Sequence, residues 1–197
     1  MWPGKAVRLV AMAAPDSTAP GRLEVVRRYV NTRDVEASTE ALSTPEDLRV
    51  WLQDAGLLEA GTDADEADLR RAVALREALR AALAANHHSA PIPTDAVAVV
   101  NQAADRAGLQ LAFTADLRWA ARPRAGGVDG ALGGLLAVVA RATTEDTWRR
   151  LKLCVNESCQ WAFYDHSPAR AGKWCSMQVC GNRAKQQAWR SRHESGT

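Results

Sequence analysis

The first 153 of the 197 residues contain no cysteine, so no disulfide framework ties down the bulk of the chain. Long apolar runs are missing as well. The longest apolar stretch free of charge, Gly130 to Ala140, has 11 residues, short of the roughly 18–20 that cross a bilayer. After Lys5 and Arg8 only a short apolar run follows, whereas an export signal needs about 7–15 apolar residues there. These absences lead us to expect a soluble, cytoplasmic protein with no membrane partner. Nucleophile elbow, phosphate loop and HExxH are also absent, and Gly126-Gly127 and Gly133-Gly134 make no dinucleotide fingerprint. No enzyme is expected. Neither an internal repeat nor a low-complexity tract is visible.

What is present is ordinary globular composition, 47% apolar and 24% charged, which excludes a disordered chain. The length suits one domain, or one plus a small module. The net charge of +2 hides an asymmetry: residues 149–197 sum to +6 and residues 1–148 to −4. A basic tail on an acidic body suits a module that meets a polyanion, or is simply a solvated basic face.

The pattern predicts a mainly α protein with a small β element. Residues 1–20, with four Pro or Gly, read as a loose leader. A helix runs from Gly21 to about Asn31, with Leu23, Val26 and Val30 on one stripe. A second opens at Thr44-Pro45-Glu46-Asp47, where Thr44 can cap, and ends at Gly56. The longest spans Asp63 to Asn86, with Leu69, Val73, Leu75/Arg76, Leu79 and Leu83 on or near one face. His87-His88-Ser89 breaks it, and Thr94-Asp95 caps the next. Residues 109–122 alternate and predict a hairpin turning near Ala115-Asp116, with Leu109, Leu111 and Phe113 on one face. Asp129–Arg141 reads as a buried helix whose glycines imply close packing. A short helix carrying Trp148 is expected to start around Thr143–Asp146. The body, 21–148, ends there and 149–197 forms the tail.

All four cysteines fall in that tail, as Cys154-x4-Cys159 and Cys175-x4-Cys180 separated by 15 residues. Two thiol pairs at this spacing suit one tetrahedral Zn²⁺, each thiolate about 2.3 Å from the ion. Four thiolates leave no place for water or substrate, which argues for structural zinc. Reduced thiols or two disulfides are the alternatives. Trp161, Phe163 and Trp174 then form a small core, and residues 160–166 and 172–175 can pair as a hairpin. A unit of about 40 residues draws most of its folding energy from the metal. His166 reads as a loop residue. Beyond Cys180 a basic helix follows, with Arg183, Gln186/Gln187 and Arg190 on one face and Lys185, Trp189 and Arg192/His193 on its neighbour. Such a helix can enter the DNA major groove, or dock on the acidic body or a second subunit.

Cys180-Gly181-Asn182-Arg183, the preceding Trp174-Cys175 and the stretch LCVNESCQWAFYDHS resemble the CGNR zinc-finger family. Val30-Asn31-Thr32-Arg33-Asp34 and Leu42–Leu48 resemble the companion ABATE domain, described as a stress-induced transcription regulator. The resemblance implies a bacterial DNA-binding regulator with a mainly helical N-terminal domain. It assigns zinc to Cys154, Cys159, Cys175 and Cys180, and places Arg183 in the segment meeting DNA.

The expected function is therefore DNA-binding regulation, with Arg183, Lys185, Gln186, Arg190 and Arg192 as nucleic-acid contacts. A small-molecule effector and a homodimer are the further partners considered. The competing reading is a small-molecule-binding protein or enzyme with the finger as a clamp. Asn31 and Arg33, with Trp51, Trp119 and the His87-His88 pair, would then line a pocket. A protein–protein adaptor is the third.

Overall fold

A computed structural model describes residues 17–88, 90–113, 115 and 119–194. The expected leader lies outside these residues except for its end. There Ala19 is buried and its N–H donates to Glu24 Oε2 at 2.8 Å, so residues 17–20 are packed rather than loose.

The architecture is mainly α, with three small antiparallel strand pairs among the described residues. Helix α1 (Leu23–Val30) leads into a two-residue pair, β1 (Arg33–Asp34) and β2 (Thr39–Glu40). Helix α2 (Pro45–Asp54) starts at the expected box: Asp47 N–H donates to Thr44 Oγ1 at 3.1 Å, and Thr44 N–H donates back to Asp47 Oδ2 at 2.9 Å. Helix α3 (Glu66–His88) opens on the same reciprocal device, with Asp65 and Asp68 exchanging backbone bonds. It runs two residues past the expected break. Helix α4 (Thr94–Arg106) begins at Pro93, so Thr94 lies inside the helix and caps nothing.

Strands β3 (Gln110–Phe113) and β4 (Trp119–Arg122) form the expected hairpin, with Phe113 opposite Trp119. Of its expected turn, Asp116 lies outside the described residues. Alternation placed the strands correctly but did not predict burial. Leu111, Phe113 and Trp119 are exposed, while Ala112, Ala120 and Ala121 are half-buried. Helix α5 (Gly127–Thr144) is the buried glycine-rich helix. A Cβ on Gly133 would sit 2.5 Å from Ala107 Cβ and 2.9 Å from Pro123 Cβ, so only glycine lets α5 approach the end of α4 this closely. The helix expected from Thr143 does not form. Thr143 and Thr144 finish α5, Asp146 turns left-handed, and a 3₁₀ turn, Trp148–Arg150, follows.

Strand β5 (Leu151–Leu153) pairs with β6 (Ala162–Tyr164). The expected pairing of 160–166 with 172–175 is thus replaced by pairing with the segment before the first cysteine. The reason is burial. Leu151, Leu153, Ala162 and Tyr164 join the same apolar cluster as Val26, Tyr29, Leu75, Leu79 and Leu135, whereas Trp174 and Cys175 pack instead with the other cysteines, so pairing with 151–153 carries 162–164 into the larger core. The core therefore continues across the body–tail boundary read from composition.

Polar side chains of α3 tie this core together. Arg76, 1% exposed, donates to both oxygens of Glu40 (2.6 and 2.7 Å), to Thr32 Oγ1 (3.1 Å) and to Glu77 (2.9 Å). Asn86 donates to the carbonyls of Trp148 (2.9 Å) and Leu151 (3.0 Å). Tyr29 O–H donates to Ala72 O at 2.5 Å, and burial drives its pKa well above the phenol range. No helix among the described residues is long and apolar enough to cross a membrane.

The Arg76–Glu40 pair is asymmetric, because the Glu40 side chain is one-third exposed and Arg76 is not. Glu40→Ala leaves a buried guanidinium short of its main partner and should cost about 3 kcal/mol. Arg76→Met leaves a carboxylate that water can reach and should cost less. Urea unfolding of the two variants gives that order.

Candidate metal centre and basic helix

The chain leaves β5 directly into Cys154, whose N–H donates to Trp161 O at 2.9 Å. The following loop is a tight turn: Cys159 N–H and Gln160 N–H both donate to Asn156 O (2.8 and 3.0 Å), and Gln160 has a left-handed φ of 50°. The turn brings the Cys159 sulfur back beside Cys154. The second pair flanks and enters a π-turn, Met177–Gly181: Cys175 precedes Ser176, which caps the turn by accepting from Val179 N–H, and Cys180 lies within it. A Cβ on Gly181 would meet Met177 Sδ at 2.8 Å and Trp174 Cδ1 at 3.3 Å. Any side chain after Cys180 would have to displace the Met177 thioether and press on Trp174.

The four sulfurs lie within 4.8 Å of one another, with Cys159–Cys175 and Cys175–Cys180 both 3.7 Å apart. Ligands at about 2.3 Å on a tetrahedron stand about 3.8 Å from each other. Disulfide sulfurs stand at about 2.05 Å, and all four thiols are free. Cys154, Cys159 and Cys180 are buried and Cys175 is half-buried, packed with Trp161 and Trp174. Hydrogen bonding from Cys159 and Cys175 draws Cys154 down, and the Cys154 thiolate in turn pushes Cys159 and Cys175 up. Only a cation among them lets all four ionise together. The donor set fits Zn²⁺ with a closed coordination sphere.

Body side chains grip the backbone just after Cys159. Asn31 Nδ2 donates to Ala162 O (2.9 Å) and its Oδ1 accepts from Ala162 N–H (2.8 Å). Arg80, buried, donates to Gln160 O (3.1 Å) and Val30 O (2.6 Å), and Arg27 reaches Ala162 O at 3.4 Å. Asn31, expected at a ligand pocket, thus spends both ends of its amide on the chain itself. Arg33 is exposed on β1, its carbonyl 3.4 Å from Arg80 Nη2. Trp51 is buried against Tyr29 and Trp119 is exposed on the hairpin, so these residues do not gather into one pocket. A shallow cleft does lie between α3, α4 and α5 beside Arg71, Arg106 and Asp129, away from all of them.

Between the cysteine pairs the chain winds around Asp165. Its Oδ2 takes the buried Lys152 ammonium at 2.8 Å and Gly172 N–H at 2.8 Å. Its Oδ1 takes Ser167 N–H and Oγ (3.0 and 2.6 Å). His166 is in a loop, as expected, with Nε2 2.8 Å from Thr18 O.

Helix α6 (Asn182–Glu194) continues from the π-turn, its main neighbour. Arg183, Lys185, Gln186, Trp189 and Arg190 are exposed and Ala184 is half-buried. The side chains of Ala188 and Arg192 lie outside the described residues. Arg183 is not free: it forms an ion pair with Glu36 in the β1–β2 turn.

With this geometry in hand, comparison with family models matches residues 23–147 to ABATE, "Putative stress-induced transcription regulator", and residues 150–193 to the CGNR zinc finger. The chain belongs to the ABATE family. Curated proteins give no match. In this ABATE protein the CGNR motif is Cys180 to Arg183: the cysteine is one of the four able to hold the ion, the glycine ends the π-turn, and the last two residues start α6. The buried arginines were not anticipated as docking groups, although Arg76 falling on the apolar stripe of the long helix was the available signal.

Two outcomes follow for the ABATE protein. Chelation should remove one zinc per chain and abolish amide protection over residues 154–160 and 174–181, while β5 and β6 stay protected by the common core. Hydrogen exchange with and without chelator reads this. For Asp165, burial alone would raise the pKa, but the bonds from Lys152, Ser167 and Gly172 outweigh it and pull it down to about 2. Its stabilisation is complete above the ordinary 3.8 and is lost as pH falls from there towards 2. A carboxyl NMR titration should place its midpoint near 2, and Asp165→Asn should lack that part of the acid-stability curve.

Proposed function

We propose that this ABATE protein is a DNA-binding transcription regulator of the cytoplasm rather than an enzyme, with α6 as the element that meets the duplex. The observation that supports it most is the presentation of α6. Arg183, Lys185 and Arg190 are exposed on a helix that has no acidic residue before Glu194. That helix starts directly after the π-turn carrying Cys180, so a zinc-braced turn fixes its direction. A basic helix with Gln186 among its exposed residues matches what major-groove recognition uses: lysine and arginine on phosphates, arginine or glutamine on base edges. The family description as a transcription regulator points the same way.

The helical body would steady the finger through the Asn31 and Arg80 contacts and regulate this helix through Glu36. Binding should weaken steeply with salt, since counterion release drives it. Lys185→Ala with Arg190→Ala should lower affinity for duplex DNA about tenfold or more. It should reduce the slope of log affinity against log salt by about 2, roughly 0.9 for each phosphate no longer neutralised, and leave the zinc content at one. Fluorescence anisotropy across a salt series, with metal analysis of the same samples, is the test. Unchanged affinity would remove α6 from the interface.

A further inference from the structure

We propose that Glu36 is an intramolecular competitor for the nucleic-acid phosphate that Arg183 would bind, so that the body restrains its own basic helix. This rests on the reading of α6 as a DNA-binding element.

Arg183 is in the first turn of α6, and its guanidinium is paired with the Glu36 carboxylate of the body, 147 residues earlier in the chain. Both side chains are about half exposed, so the pair is open to exchange with a third charged group. The carboxylate raises the guanidinium pKa further. An anionic oxygen is therefore already in the position that a phosphate oxygen would take.

The turn that offers Glu36 is well braced. Ala37 N–H donates to Asp34 Oδ1 at 2.9 Å, Ser38 N–H donates to Val35 O at 3.3 Å, and Ser38 turns left-handed at φ 53°. Below it, Arg33 pairs with Glu40 and Asp34 with Thr39. Glu40 and Thr32 are both held by the buried Arg76 of α3. Glu36 thus projects from a support anchored in the core, and its approach to α6 does not depend on loose chain.

Two effects of charge follow from this placement. While the pair holds, Arg183 is withheld from a polyanion. Once DNA takes Arg183, the released Glu36 carboxylate stands beside the backbone phosphates and repels them. Both effects oppose binding, and both disappear when Glu36 loses its charge. An exposed ion pair of this kind sets a modest scale, so the restraint is a graded one of about two- to fivefold in affinity.

The experiment compares full-length zinc-loaded wild type, Glu36→Gln, Arg183→Ala and the double variant. The probe is a fluorescent duplex pool of random sequence at about 100 mM salt, where surface charge is only partly screened. Glu36→Gln should bind about two- to fivefold tighter than wild type, and this gain should shrink in the Arg183→Ala background. Amide exchange over residues 183–187 should also rise in Glu36→Gln without loss of zinc. If wild type binds and Glu36→Gln binds equally or more weakly, the restraint is overturned while the DNA reading stands. An equal gain in both backgrounds overturns the Arg183 competition and leaves only general charge repulsion. If neither protein binds any duplex, both fall together.

Discussion

Everything in the C-terminal fifth of this molecule hangs on how the body holds three consecutive peptide units, residues 160 to 162. Asn31 takes both the N–H and the carbonyl of Ala162, and Arg80 takes the carbonyl of Gln160. These groups lie between a metal ligand and a core strand. A buried backbone carbonyl without a donor is costly, so the grip satisfies the loop while fixing where Cys159 sits. The arginine is itself satisfied, since its guanidinium also reaches Val30 O and Glu77. Desolvation lowers the Arg80 pKa, partly offset by Glu77, and the guanidinium stays charged at any physiological pH because its ordinary value is so high.

From that fixed point the zinc centre acts as a rigid joint. One pair of ligands follows a strand of the core and the other precedes the basic helix. The ion converts four mutually repelling thiolates into a clamp across 27 residues of sequence. Within the clamp Asp165 is neutralised by Lys152 of β5, both buried, with backbone donors filling further carboxylate lone pairs. The aromatic residues Trp161 and Trp174 cover the sulfurs, and Phe163 is buried on β6. The direction of α6 would thus be set by the π-turn and by the metal that braces it, and only lightly by surface charge.

The helices were legible because each carries its own punctuation. Thr44-Pro45-Glu46-Asp47 states a start in four residues, and Gly56 and Gly108 state stops that the positive φ values of 66° and 57° explain. The cysteine spacing was legible because tetrahedral coordination allows few alternatives. Pairing partners were less so. Leu151-Lys152-Leu153 read as an extended piece, but nothing local says that its partner is Ala162–Tyr164 rather than the later stretch, since that choice is made by burial against α1 and α3. The hairpin at 110–122 misled in the other direction, because alternation reports strand geometry and not which face finds a neighbour. Asn31 suggests a ligand pocket because a run of polar residues, Asn31, Thr32 and Arg33, stands at a helix end. What it bonds lies 131 residues away.

The common core of β5, β6, α1 and α3 has a consequence for biosynthesis. Domains usually fold as units, the N-terminal one first, while the ribosome is still extending the chain. Here the apolar cluster that holds Leu75 and Leu79 also takes in Leu151, Leu153, Ala162 and Tyr164, so it is complete only once Tyr164 has been translated and has left the exit tunnel. Metal capture then comes only after Cys180 is translated. Closure of the helical half thus waits on two strands of the finger, while metal capture is a separate, later step, and a frameshift ahead of Tyr164 would leave the helical core incomplete as well.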